Sequence, residues 1–103
     1  MNGVYHANFT STLGSGAGTV YLENGALRGG DATVAYWGSY SIVGDKCEAS
    51  VVIAKHGEGF SILGDARALN FRGSAKNGVI EGVGKVPGTN IQASISLRKV
   101  AAL

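Results

Sequence analysis

Turn-forming residues break this chain so often that no long helix fits between them. Asn24-Gly25, Gly29-Gly30-Asp31, Gly44-Asp45, Gly57-Glu58-Gly59, Gly64-Asp65, Asn77-Gly78 and Pro87-Gly88-Thr89-Asn90 mark the breaks. The segments between them run about four to eleven residues, the length of strands. Asn-Gly occurs twice between strand-like segments. It is the strongest short hairpin signal, because a type I′ turn needs positive φ at both central residues.

The segments themselves alternate. Ile91, Ala93, Ile95 and Leu97 share one face of the last segment, and Gln92, Ser94, Ser96 and Arg98 share the other. Period two describes a strand with one buried face. Tyr5, Ala7 and Phe9 alternate with His6, Asn8 and Thr10. Cys47, Ala49, Val51 and Ile53 share a face, as do Val34, Tyr36, Gly38, Tyr40 and Ile42. No apolar stripe of helical period is present, although Asp31-Ala32 could form a short helical turn. The spacing predicts eight or nine strands, at 3–10, 16–23, 26–29, 33–43, 46–56, 60–63, 66–74, 79–86 and 91–100. An all-β, small closed antiparallel barrel of about eight strands is the expected fold, since closure removes exposed edges. A two-sheet sandwich is the alternative. At 103 residues the chain is expected to form a single domain, 1–103.

Composition excludes several functions. Glycine supplies 17 of 103 residues and proline one, which suits frequent turns and close strand packing. The net charge is +2, and the basic residues are scattered, whereas nucleic-acid binding calls for a clustered basic stripe. No nucleic acid is expected as a partner. No apolar run approaches the ~20 residues that cross a membrane, and residues 1–10 lack the features of a signal peptide. No membrane association is expected, and the cytoplasm is the expected compartment.

Candidate chemistry is sparse. Gly14-Ser15-Gly16-Ala17-Gly18 resembles a phosphate loop in composition, but Thr19-Val20-Tyr21-Leu22-Glu23 follows it as a strand rather than a helix. A hairpin start with strand curvature is the better reading. His6, His56 and Cys47 are too dispersed for a zinc site, so no metal is expected. Cys47, on an apolar strand face, reads as a buried thiol. Asp31, Asp45, Glu58 and Asp65 sit at glycine turns, which turn chemistry explains. No catalytic constellation emerges, no cofactor is implied, and the expectation is a protein that is not an enzyme.

The aromatic residues carry more information. Tyr36, Trp37 and Tyr40 crowd one strand, with Tyr5, Phe9, Phe60 and Phe71 as further candidates for the interior. The inward ladder should comprise Tyr5, Phe9, Val20, Leu22, Tyr36, Tyr40, Val51, Ile53, Phe71, Ile80, Ile95 and Leu97, with Ala7, Gly38, Ala49, Gly82, Gly84 and Ala93 between them. Gly82 and Gly84 fall in succession on one face. Either they let the strand coil while neighbours fill the gap, or they leave room for a small apolar ligand. A filled interior is favoured slightly, because voids cost stability. If a ligand binds inside, the candidate residues are Tyr5, Phe9, Tyr36, Tyr40, Phe71, Gly82 and Gly84.

Asn2-Gly3-Val4-Tyr5, Phe9, Gly16-Ala17-Gly18, Asn24-Gly25, Gly29-Gly30-Asp31 and Tyr36-Trp37-Gly38-Ser39-Tyr40 occur in an order and spacing similar to the GrlR-like family of bacterial proteins. That family is named for a negative regulator of type III secretion. The resemblance covers roughly the first forty residues. It continues more loosely through Leu69-Asn70-Phe71-Arg72-Gly73 and the last strand. It implies a lipocalin-like β-barrel, a homodimer, and regulation through contact with a protein partner rather than catalysis. A carrier or sensor of a small apolar ligand is the alternative function.

Overall fold

In the computed structural model, which describes residues 1–57 and 66–103, alternation has become pairing. The eight strands are β1 (Gly3–Ser11), β2 (Gly14–Glu23), β3 (Ala26–Gly30), β4 (Val34–Val43), β5 (Lys46–Lys55), β6 (Ala68–Lys76), β7 (Val79–Lys85) and β8 (Gln92–Ala101). Each pairs antiparallel with the next, and β8 returns to β1 to close the barrel. The closing register runs from Val4↔Ala101 to Thr10↔Ser94, with one irregularity between Val4 and Tyr5. That seam rules out the two-sheet sandwich. The segment expected as a strand at 60–63, and Phe60 with it, lie outside the described residues.

The hairpins follow the turn chemistry. Asn24 (φ 49°) and Gly25 (φ 86°), then Asn77 (φ 53°) and Gly78 (φ 76°), have the paired positive φ of a type I′ turn. Asp31-Ala32 forms no helical turn; the chain bends at Ala32 and Thr33. One Asp31 carboxylate oxygen accepts the backbone N–H groups of Thr33 (2.8 Å) and Val34 (2.9 Å), which turns the chain in place of a helical hydrogen bond. Gly14–Gly18 opens β2, as a hairpin start should.

Because all neighbours are sequential, the strand ends sort into two rims. One carries the chain termini and the β2–β3, β4–β5 and β6–β7 turns. The other carries the β1–β2, β3–β4 and β7–β8 turns, the end of β5 and the start of β6. The inward ladder buries Tyr5, Ala7, Val20, Leu22, Tyr36, Ile53, Phe71, Ile80, Ala93 and Leu97. Phe9, Tyr40, Ala49, Val51 and Ile95 pack against them, partly buried. The terminal rim is tied shut by polar contacts. The Tyr5 hydroxyl donates to the Met1 carbonyl at 2.7 Å, and Asn2 exchanges hydrogen bonds with Asn24 at 3.1 and 2.9 Å.

Candidate functional site

The paired glycines do not leave a hole. Gly73 and Gly82 face each other across β6 and β7. A Cβ on Gly82 would stand 2.5 Å from the Gly73 Cα, so the two strands meet backbone to backbone. The Phe71 ring covers Gly73. A Cβ on Gly84 would stand 2.8 Å from a Leu69 methyl and 2.9 Å from an Ile95 methyl, so those side chains already fill the space above it. This part of the interior is packed.

The space lies elsewhere. A cavity of about 260 Å³ occupies the barrel between this packed wall and the rim formed by Ser15, Gly16 and Ala17 on β2 and Asp31, Ala32 and Thr33 after β3. The expectation of a filled interior is therefore corrected: filled at Gly82 and Gly84, hollow beside them, along a space that runs from Leu22, Leu27, Cys47 and Ile80 to that rim. The physical reason is residue size. Gly16, Ala17, Ala49 and Ala93 line the cavity among Val20, Val51, Ile53 and Ile95, and their side chains are too short to reach across it. Phe9 and Tyr36 meet edge to face, with ring centroids 6.1 Å apart at 84°. Such pairs favour this geometry over a flat stack, and here it holds two aromatic rings at the cavity wall.

Of the candidate residues, Phe9, Tyr36, Tyr40 and Phe71 line the cavity together. Tyr5, Gly82 and Gly84 do not. Tyr5 is wholly buried near the terminal rim, and its hydroxyl is spent on Met1. Residues not anticipated as lining also face the cavity: Leu27, Leu69, Val34, Cys47 and Asp31. Leu69 alternates with Phe71 and could have been found that way. Leu27 lies between Gly25 and Gly29, and glycines give no hydropathy contrast for a period-two signal. Asp31 was legible only as a turn residue.

The cavity wall is mostly apolar, with Ser15, Asp31 and Thr33 at its rim and the tyrosines Tyr36 and Tyr40 on β4. Tyr36 is 9% exposed, and its hydroxyl has no hydrogen-bond partner among the described residues. It reaches across to β2, where a Cβ on Gly18 would overlap it and lie 3.3 Å from the Asp31 Cβ. Glycine at 18 is thus what admits the phenol. Burial, aided by the nearby Asp31 carboxylate, pushes the Tyr36 phenol far above its usual range. Burial, with a smaller effect of Glu48, also raises the Cys47 thiol, which keeps it protonated and weakly nucleophilic. His6 and His56 are exposed, and no group of three metal-ligating side chains occurs among the described residues. His56 is engaged at the rim, its Nε2 lying 3.1 Å from the Asp31 carbonyl oxygen.

The outer wall has a feature of its own. Tyr21, Arg28, Trp37 and Val52 stand directly opposite one another on β2, β3, β4 and β5. All four are exposed, Trp37 by 46% and Tyr21 by 48%. No helix among the described residues is long and apolar enough to cross a membrane. No protein-family model matches the chain, and no curated protein matches it.

Proposed function

We propose that this barrel is a non-enzymatic carrier or sensor that takes a small, mostly apolar molecule into its interior. The observation that carries this reading is the cavity of about 260 Å³ bounded by aliphatic and aromatic side chains. It is larger than the ~150 Å³ engineered cavity that accepts benzene and just below the ~300 Å³ at which pockets for drug-sized ligands begin. A ligand of one ring, or one ring with a short chain, fits that interval. Titration with ethylbenzene, followed by methyl NMR, tests the reading. Saturable shifts are expected at Val20, Val51, Ile53 and Ile95, with none at the outward Val43 and Val83. The absence of saturable shifts at the solubility limit removes it.

A second reading, a homodimeric regulator acting in the cytoplasm through protein contact, draws on the resemblance to GrlR-like proteins. The row Tyr21, Arg28, Trp37 and Val52 favours it, because tryptophan, tyrosine and arginine dominate interface hot spots. Glu23 lies on the same outer face of β2 as Tyr21, so a second copy related by a two-fold axis could set Glu23 against Arg28 in both directions. Sedimentation of the wild type at micromolar concentration should show a dimer that Trp37→Glu converts to monomer. A wild type that sediments only as monomer contradicts it.

A further inference from the structure

The cavity has a length and a direction as well as a volume. It is lined on β2 from Gly16 to Leu22 and on β5 from Cys47 to Ile53. Each stretch advances six positions along its strand, which at ~3.3 Å per residue and a tilt of ~40° spans about 15 Å of the barrel axis. Spread over that length, about 260 Å³ gives a mean cross-section of about 17 Å², a channel about 5 Å wide. Non-bonded carbon atoms sit ~3.5–4.0 Å apart, so one file of carbons fills such a channel and two abreast do not fit. The two ends differ. Leu22 and Ile80, each 1% exposed, and the buried Cys47 close the inner end. Ser15, Ala17 and Ala32 are exposed at the other, where Asp31 and Thr33 add polar side chains.

Resting on the carrier reading, we infer that the ligand is a single unbranched aliphatic chain with one polar end group, lying along the barrel axis with its tail against Leu22 and Ile80 and its polar end at the Asp31–Thr33 rim. The narrow section sets the unbranched shape. The length sets the size: an extended chain advances about 1.25 Å per carbon, the projection of a ~1.52 Å C–C bond, so about ten carbons occupy the channel once both ends keep contact distance. Desolvation sets the direction. A polar group among Leu22, Leu27 and Ile80 would lose its water and meet only apolar side chains, whereas at the rim it stays hydrated. Ethylbenzene, with two carbons beyond its ring, occupies only part of this length.

The experiment titrates 1-hexanol, 1-octanol, 1-decanol, 1-dodecanol, cyclooctanol and ethylbenzene into the wild type, followed by methyl NMR. Affinity should rise by about four-fold per methylene from 1-hexanol to 1-decanol, the worth of one buried CH₂. 1-Dodecanol should bind no tighter than 1-decanol, because its extra carbons stay in water. Cyclooctanol, with the carbon count of 1-octanol in a wider ring, should bind about ten-fold more weakly, as if about two methylenes were left outside. In the 1-decanol complex the terminal methyl should show NOEs to the Leu22 and Ile80 side chains, and the CH₂OH protons to Ala17 and Thr33. If ethylbenzene binds but affinity does not rise with chain length, or cyclooctanol matches 1-octanol, the chain assignment is overturned and the carrier reading stands. NOEs in the reverse order overturn the orientation. If neither ethylbenzene nor any alcohol binds, both readings fall. Cys47→Leu, which shortens the inner end, should weaken 1-decanol more than 1-hexanol; equal weakening in a folded variant overturns the placement of the tail.

Discussion

Tyr36 carries the buried side-chain polar atom left without a hydrogen bond among the described residues. Leaving a donor in that state costs about 1–3 kcal/mol, whereas phenylalanine fills the same volume without the debt. Tyr36→Phe should therefore raise the stability of the ligand-free protein by about 1 kcal/mol in urea unfolding. A loss of stability would mean that the hydroxyl has a partner in solution. Titration adds a second prediction at this scale. Burial raises Tyr36 and Tyr5 above the tyrosine value of 10.0 and Cys47 above 9.0. Above those values the unfolded chain releases protons that the folded chain retains. Stability contributed by these groups is thus complete below about pH 9 and falls as pH rises further. The decline between pH 9 and 11 should be shallower in Tyr36→Phe, by equilibrium unfolding at each pH. Equal slopes would place that decline elsewhere.

At the scale of strands and turns, the two Asn-Gly hairpins and the strand boundaries were legible in the sequence to within about two residues. Period-two alternation and turn residues act locally, and here no tertiary contact overrides them. What stayed hidden was where the interior is full. At Gly82 and Gly84 a filled space and a gap both stayed open, with the filled one favoured, because the sequence shows only the missing side chains. The structure shows that Leu69, Phe71 and Ile95 lean into the space and that Gly73 meets Gly82 backbone to backbone. Alanine, which looked like ordinary interleaving at Ala49 and Ala93, instead lines the hollow. Two leucine substitutions separate these environments. Gly84→Leu would press into Leu69 and Ile95 and should destabilise by about 1–3 kcal/mol through overpacking. Ala49→Leu would extend into the cavity, change stability by less than about 1 kcal/mol, and abolish ethylbenzene binding. Denaturant unfolding alongside the NMR titration reads both. Comparable losses of stability in the two variants would contradict this division. Gly78→Ala, at φ 76°, should cost about 1 kcal/mol by strain in the turn alone.

For the whole molecule, the barrel closes the edges of β1 to β8 on one another and leaves its interior incompletely filled. At about 24 cal/mol per Å³, a dry void of about 260 Å³ would cost on the order of 6 kcal/mol. That is an upper figure for a cavity that reaches the rim, yet it is a large share of the ~5–15 kcal/mol that stabilises ordinary domains. Occupancy should be felt throughout the fold. A ligand at 100 times its Kd adds about 2.7 kcal/mol, which for a domain of this size raises Tm by on the order of 10 °C. The all-β architecture was readable from alternation, and closure followed from the need to protect edges. The cavity was not readable, because it depends on how side chains from different strands lean toward or away from one another.

The hollow interior is best tested by a crystal structure under xenon pressure, since xenon enters apolar cavities without needing a polar partner. A hollow barrel predicts a xenon peak inside, in contact with Val20, Tyr36, Val51, Ile53 and Ile95, that disappears in Ala49→Leu. A wild-type interior with no xenon, its side chains closed across the space between Ala49 and Ala93, would contradict it.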